Sequence, residues 1–326
     1  MPRSTINGTA IDLDGKEMIL DADQDTTIAV DTDDQIDIRV GGSDQIKIAT
    51  GEVAFNDGSG DVDFRVESNG ITNAFVIDGG NNGVGINATP RSDLHTSWSQ
   101  TFLGQKGSII SERDSGGGIP GTKLTDNLYI DSDTGAVACL ETNQASQITL
   151  EAGQLTYQSA VSASAGAAPT LVTHMTIDAS GAMTKPLQPT AMVVAAATQS
   201  DIGTADTVVF GTEIKDTNGD FASNTFTAPV TGTYLCTAHL LLGNVDVDHD
   251  YVQGAFVASN RTYNFATLDP GQFNGDLVYF ALEGTVLVDM DASDTVFVRV
   301  ERAGGAAQTD IIHSANHMNF QVALLS

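Results

Sequence analysis

Phe226-Thr-Ala-Pro-Val-Thr-Gly-Thr-Tyr-Leu235 is the stretch that decides the fold of the C-terminal part of this chain. Pro229 fixes its own φ and Gly232 tolerates backbone conformations closed to other residues, so together they turn the chain tightly into a strand. Phe226 and Tyr234 stand on either side of that turn, with Phe221, Asp216 and Phe210 upstream. The aromatic rings are expected to wedge between two sheets as core, and they identify a fold rather than a chemistry. Working outward, apolar runs broken by turn residues predict strands near 192–197, 207–210, 232–242, 252–258, 277–282, 285–290, 295–300 and 319–325. That number of bulky strands makes a β-sandwich or jelly roll large enough to bury its own core.

The same residues resemble the signature of the complement C1q-like globular head, a family placed with the tumour-necrosis-factor-like jelly rolls. Phe226, Pro229, Gly232 and Tyr234 fill a Phe-x-x-Pro-x-x-Gly-x-Tyr pattern, and Phe210, Asp216 and Phe221 stand at the family's upstream offsets. Asp294-Thr-Val-Phe-Val-Arg-Val resembles the family's penultimate strand, and Asn319-Phe-Gln-Val-Ala-Leu-Leu-Ser its closing strand. Two departures stand out. The Phe221 to Phe226 gap is about two residues short, and Cys236 and Ala238 occupy places where aromatics are expected. The resemblance spans 190–326 and implies a jelly-roll head that associates in threes.

The front of the chain has another texture. Aligned by tens, residues 21–50 read Asp21-Ala-Asp-Gln-Asp-Thr-Thr-Ile-Ala-Val, Asp31-Thr-Asp-Asp-Gln-Ile-Asp-Ile-Arg-Val, Gly41-Gly-Ser-Asp-Gln-Ile-Lys-Ile-Ala-Thr. Each unit opens with turn formers and closes with period-2 alternation, giving strands with one apolar face. Val53/Phe55, Phe64/Val66 and Phe75/Ile77 continue the pattern. Two or three aliphatic side chains contribute ~1.5–3 kcal/mol each, against ~1–2 kcal/mol for every residue ordered. Such units need either a single-chain solenoid or an intertwined oligomer, and their irregularity favours the oligomer. The organisation expected is an attachment segment over 1–20, a repetitive β stalk over 21–98, a β-rich neck over 99–189 and the head over 190–326. Long helices are not indicated.

Residues 77–96, the 21–40 repeat, Asn127-Leu-Tyr-Ile-Asp-Ser-Asp-Thr-Gly-Ala-Val and His174-Met-Thr-Ile-Asp-Ala-Ser-Gly-Ala-Met are similar to modules of bacteriophage tail fibres and spikes, especially of marine phages. Those modules carry Ile-Asp-Gly-x-Asn-x-Val-Gly-Ile-Gly-Thr-x-x-Pro before Leu-His-Val; here Asn87 replaces one glycine. The resemblance implies a homotrimer with an intertwined β stalk. The expected class is therefore all-β: a trimeric stalk followed by a C1q/TNF-like jelly-roll head.

Charge narrows the partners. The 326 residues carry 42 acids and 14 lysines and arginines, a net charge of −28. A polyanion repels phosphate backbones and anionic lipid, so neither nucleic-acid binding nor membrane insertion is expected. The N-terminal residues show no apolar leader core, and Cys139 and Cys236 make no disulfide framework or zinc spacing.

Chemistry is sparse. Asp21, Asp23 and Asp25, with Asp31 and Asp33, place hard oxygens at alternate positions as calcium prefers, although turn-forming aspartates account for them equally. Asp12-Leu-Asp-Gly-Lys-Glu fails as an EF-hand loop, and the six histidines show no ligand spacing. Ser115-Gly-Gly-Gly-Ile-Pro-Gly-Thr-Lys lacks phosphate-loop spacing and reads as a hinge. No nucleophile elbow exists, so no catalytic residue and no cofactor beyond calcium is expected. Receptor contacts are expected from two head loops of exposed residues, carrying Asp246, Asp248, His249, Asp250 and Tyr251 in one and Arg261 and Tyr263 in the other.

The expected function is a non-enzymatic virion fibre, made in the host cytoplasm. Its N-terminus would hold other tail or capsid proteins, and its head would meet a host glycan or protein. The alternatives are an assembly component (head fibre, tail-tip adaptor or decoration protein), a surface-polysaccharide depolymerase, or a bacterial surface or exosporium protein. At seawater-like ionic strength the screening length shrinks to about 4 Å, which damps repulsion between copies. Low salt with chelator should therefore melt the N-terminal part before the head; identical melting curves with and without chelator would refute this.

Overall fold

The computed structural model describes residues 16–81, 83–112, 121–314 and 317–326. Asp12 and Asp14, most of the expected attachment segment and the start of the glycine-rich stretch at Ser115 lie outside them. The chain divides into two compact units, one ending at Thr184 and one beginning at Lys185. Both are built from strands; among the described residues the helical structure is the 3-10 turn Pro270–Gln272, so the all-β class holds. No helix is long and apolar enough to cross a membrane.

The ten-residue repeat folds as its alternation dictates. Strands β1 (Met18–Ile19), β2 (Thr27–Ala29), β3 (Gln35–Val40), β4 (Ser43–Ala49) and β5 (Glu52–Phe55) form an antiparallel meander in chain order. Between β3 and β4 the chain reverses through Gly41 and Gly42, both at positive φ, as a two-residue hairpin turn of the primed type requires. Cross-strand register places Met18, Ile28, Ile38, Ile46 and Phe55 in one row across the sheet. Thr27, Ala29 and the buried Asp37 share the opposite face with Arg39 and Lys47. Arg39 reaches Asp31 at 2.7 Å and Asp44 at 2.6 Å, while Lys47 reaches Asp57 at 2.8 Å. Both cations of the polar face are thus held by carboxylates, whereas Ile36, Ile48, Val53 and Phe55 are exposed.

A second sheet follows from β6 (Phe64–Ser68), β7 (Ile71–Asp78), β8 (Gly83–Ile86), β9 (Trp98–Leu103), β10 (Gly107–Glu112) and β11 (Thr122–Asp126). The chain then leaves it for a hairpin, β12 (Leu128–Ile130) and β13 (Val137–Cys139). It returns as β14 (Asn143–Glu151), β15 (Gln154–Ala163), β16 (Val172–Ile177) and β17 (Met183–Thr184). The ten strands lie in the order β17-β16-β15-β14-β11-β10-β9-β8-β7-β6, so the sheet is continuous across residues 98 and 99. Only β8 and β9 run parallel. A stack of parallel coils is therefore not what the described residues form.

One face of this sheet carries a row of large apolar side chains that stays open. Phe64, Ile77, Val84, Thr101, Ile109, Leu124, Ile148, Tyr157 and Met175 form that row across nine strands. Ile77, Ile109, Leu124, Ile148 and Tyr157 in it are exposed. The other face, the more polar of the two, buries Gln100, Ser108, Thr125 and Gln147 together with Val76, Phe102 and Ile110. The β12–β13 hairpin docks there by packing Tyr129 and Ala138 on Phe102 and through polar bonds: Ser108 Oγ donates to Leu128 O (2.8 Å), and the Gln100 side chain both accepts from Ile130 N–H and donates to Ile130 O.

The C-terminal unit is a closed sandwich. Its strands are β18 (Thr190–Val194), β19 (Ala205–Thr207), β20 (Thr212–Asp216), β21 (Phe221–Ala222), β22 (Thr225–Thr227) and β23 (Gly232–Val245). They continue with β24 (His249–Ala258), β25 (Thr262–Leu268), β26 (Leu277–Met290), β27 (Thr295–Gly304), β28 (Asp310–Ile311) and β29 (Asn319–Leu324). One sheet runs β20-β18-β29-β23-β26, the other β21-β22-β27-β24-β25, with β28 and β19 as short additions. Apart from the β24–β25 hairpin, the successive long strands from β23 to β29 cross between the sheets, which is jelly-roll connectivity.

Phe320 is the hub of the core: Phe210, Phe221 and Phe256 surround it at 5.8, 6.3 and 5.8 Å between ring centres. Phe226 and Tyr234 pack at 5.6 Å, and the Tyr234 hydroxyl donates to Val230 O at 2.7 Å, pinning the turn before β23. Phe210, Phe221, Phe226 and Tyr234 are core, as expected; Pro229 is exposed on the turn. The shortened Phe221–Phe226 gap has a physical reason: Ser223 and Asn224, both at positive φ, make a two-residue hairpin that pairs Phe221 with Phe226.

Two expectations need correction. The strands expected at 277–282 and 285–290 are one, β26, because Gly284 does not break it but makes room for Phe265. The expected loop Arg261–Phe265 is mostly β25, since Tyr263 and Phe265 turn toward the core. A Cβ at Gly284 would stand 2.4 Å from the Cβ of Phe265, with no flexible atom to yield. Gly284→Ala should therefore destabilise the C-terminal unit by roughly 1–3 kcal/mol in denaturant titration; an unchanged midpoint would refute this packing.

Candidate functional site

The acid-rich segment between β23 and β24 is tied down by two other parts of the same unit. Asp246 is buried at 7% exposure, where an open loop of acids was expected. Its carboxylate accepts from the backbone N–H groups of Ala306 and Asp248, and these bonds hold its pKa below the ordinary carboxylate value. His249, 2% exposed, bridges the same corner: Nδ1 lies 2.9 Å from Gly304 O and Nε2 2.8 Å from Thr309 Oγ1. Because a carbonyl only accepts, Nδ1 must carry the proton, and in the neutral ring Nε2 accepts from the Thr309 hydroxyl. Gly304 and Gly305 both take positive φ there, and a side chain on Gly305 would strike His249 Nδ1 at 2.4 Å. Asp310 extends the knot, accepting from Asp201 N–H (2.9 Å) and Asn244 Nδ2 (2.7 Å).

The seven expected receptor residues therefore separate. Asp246 and His249 fasten the end of the sandwich and present no surface; this corrects the expectation for both. Asp248, Asp250 and Tyr251 are exposed around them. Arg261, also exposed, stands 5.7 Å over the ring of Tyr263 on the strand that follows. Beside the knot, Ser200, Asp201, Asn244, Asp276, Gln308 and Asp310 line a 420 Å³ cavity. Sequence reading missed Thr309, Asp310 and Asp276, which lie far from Asp246 along the chain; only folding joins them.

The aspartates of the repeat also separate. Asp21, Asp23 and Asp25 each bring a carboxylate oxygen within 4.8 Å of the others. Desolvation, then the charges of Asp23 and Asp21, raise the pKa of Asp25. Asp31 does not join them: it pairs with Arg39, whose side-chain hydrogen bond holds its pKa down, and Asp33 is not in the group either. Asp61, Asp63 and Asp78 make a second such group that the alternating pattern did not reveal.

Nucleophile chemistry finds little support. Cys139 and Cys236 are free and buried, and burial pushes the Cys236 thiol up to about 12. Ser159 Oγ lies 2.7 Å from His174 Nε2, yet among the described residues no carboxylate is bonded to His174 Nδ1, so the orienting third member of a catalytic set is missing. A 510 Å³ cavity in the first unit is lined by Asn73, Asn87, Thr89, Arg91, Gln105 and Glu141 with apolar neighbours. Arg91 there is fixed by Asp93 at 2.7 Å and by the Tyr129 ring at 4.1 Å.

No protein-family description matches this chain, and no curated protein does. Among solved structures, the globular domain of zebrafish complement 1qA protein is similar over 43% of this chain and 98% of its own length, with 18% identity and a TM-score of 0.32. Murine APRIL at pH 8.5 is similar over 42% of this chain and 99% of its own, with 12% identity and a TM-score of 0.32. Its pH 8.0 structure has the same coverage and identity and a TM-score of 0.33.

Asp246 gives the knot a pH dependence of definite sign. With its folded pKa depressed, it stabilises above the unfolded value near pH 4 and loses that contribution as pH falls through the folded value. Asp246→Asn should lower the melting temperature of the C-terminal unit at neutral pH and flatten its decline below about pH 4. His249→Ala should cost about 1–3 kcal/mol by removing a buried ring that bonds Gly304 O and the Thr309 hydroxyl at once. Wild-type melting in both variants would show that the knot contributes nothing.

Proposed function

We propose that this chain is a non-enzymatic structural fibre protein of a virion, assembled as a homotrimer, whose C-terminal head meets the host cell surface. The observation that carries self-association is the edge of the head. The fourteen-residue β26 is the last strand of its sheet and exposes Val278 (69%), Tyr279 (64%) and Leu287 (55%). A long apolar edge on a soluble monomer invites uncontrolled pairing, and a closed symmetric assembly is the economical way to cover it. The sequence similarities to C1q-like heads and to phage fibre modules both favour threefold symmetry. The similarity to phage fibre modules also favours a virion location, with the N-terminal segment holding other tail or capsid proteins.

Host contact falls to exposed side chains at one end of the sandwich, Asp248, Asp250 and Tyr251, and to Arg261 in the turn at the opposite end of β24. The first three ride on a rigid base, because Asp246 and His249 anchor the loop beneath them. Three copies on one fibre, and several fibres on one particle, would turn weak single contacts into useful avidity. Calcium, where present, would be held by Asp21, Asp23 and Asp25. A particle component serving assembly alone is the second reading, favoured by the abundance of unpaired apolar surface relative to any deep binding cleft.

Light scattering on the native protein should give about three times the 34.0 kDa chain mass; a monomer would overturn the proposal. The purified protein should bind cells that adsorb the particle, and Asp250→Ala with Tyr251→Ala should weaken that binding about tenfold without altering the mass. A protein that assembles but never binds those cells would leave the assembly role in its place.

A further inference from the structure

We infer that the aliphatic face of the ten-stranded sheet, centred on Ile109, Leu124, Ile148 and Tyr157, is an interface that a second copy of the same chain covers. The inference deepens the reading of the protein as self-associating and rests on it, but it assigns the contact to the first unit rather than to the head. Three observations lead there.

The first is an aliphatic face that the chain leaves open. Folding within one chain should bury the large apolar side chains. On one face it does, burying Phe102 (3%) and Ile110 (0%) beside Ser108 and Gln147, while Leu124 (53%), Ile109 (42%) and Ile148 (39%) stay open on the other. The hairpin covers the first face, with Tyr129 and Ala138 packed on Phe102 and polar bonds to Ser108 and Gln100, so that face is already occupied. Nothing among the described residues of this unit performs the same service for the aliphatic face.

The second is extent. Beside the five exposed side chains of the row, Val66, Leu150, Val161 and Val172 are exposed on the same face, so at roughly 70–80 Å² each the nine present on the order of 700 Å² per chain. That exceeds the ~300–600 Å² of the largest patch on a typical monomer and approaches the ~800 Å² each partner gives to a standard interface. The row is also in register: Ile109 pairs with Leu124, Leu124 with Ile148, and Ile148 with Tyr157, so the surface is a continuous ridge.

The third is charge, and it names the occupant. Two chains of net charge −28 repel one another over most of their surfaces. The row from Phe64 to Met175 contains no charged residue, although Asp126 shares the face two residues from Leu124, so along the row itself two copies approach without opposing carboxylates. A basic partner would find its attraction on the acid-rich turns instead. The five-stranded meander exposes Ile36, Ile48, Val53 and Phe55 in the same manner, which makes an open aliphatic face a repeated feature of the first unit.

Hydroxyl-radical footprinting of the full-length native protein, read by mass spectrometry, tests this directly. An uncovered Tyr157 at 38% exposure should react only about two- to threefold more slowly than in the urea-unfolded chain, whereas a covered one should be slowed about tenfold or more. We expect the larger protection at Leu124, Ile148 and Tyr157 together, in purified protein with no other component present. The double variant Leu124→Asp, Ile148→Asp should return Tyr157 to the smaller value while the head still holds the chains in one assembly by light scattering. A self-associated wild type with Tyr157 labelled at the uncovered rate would overturn the inference and leave the proposed function standing. A monomeric wild type would overturn both.

Discussion

A β-sheet with an apolar face must cover that face, and the two units of this chain meet the requirement in opposite ways. In the C-terminal unit two sheets close on each other over Phe320, and every large aromatic of the signature goes into the contact except where a polar tip is bonded, as at Tyr234. In the first unit the β12–β13 hairpin covers one face over Phe102 and Tyr129, and the aliphatic row on the other face is left open.

The acidity of the chain is distributed to suit that difference. Carboxylates are spent on turns, where Asp216 caps the approach to Phe221 and Asp178 ties Ser180 and Ala182. They are also spent on local cations, as around Arg39. Asp246 shows the same habit in the head, where a residue read as surface charge closes a backbone corner. The aliphatic row lies outside this pattern, which leaves a route for contact between otherwise repelling chains.

Short-range regularities proved legible in the sequence. Alternation at Ile36/Ile38/Val40 and Ile46/Ile48 placed β3 and β4, because period 2 has one structural meaning when turn residues bound it. The spacing from Phe210 to Tyr234 placed the core of the sandwich for the same reason: aromatic residues at those intervals have nowhere else to go. Gly284 was misread because a glycine inside an apolar run signals either a break or a close approach, and only the position of Phe265 distinguishes them. Asp246 and His249 were misread because exposure is not a local property, and their partners lie far along the chain, at Gly304, Ala306 and Thr309.

The sequence by itself determined that this is an all-β chain with a front of short alternating strands and a back with enough bulk for a sandwich core. Hydrophobic periodicity and turn chemistry act between near neighbours and can be read along the chain. Which face each strand turns inward was decided only by the tertiary structure. The docking of β12–β13 consumes the polar face of the large sheet, and the packing of Gly304, Gly305 and Thr309 consumes Asp246 and His249. Both outcomes depend on contacts between residues far apart in the chain, whose geometry no local pattern encodes.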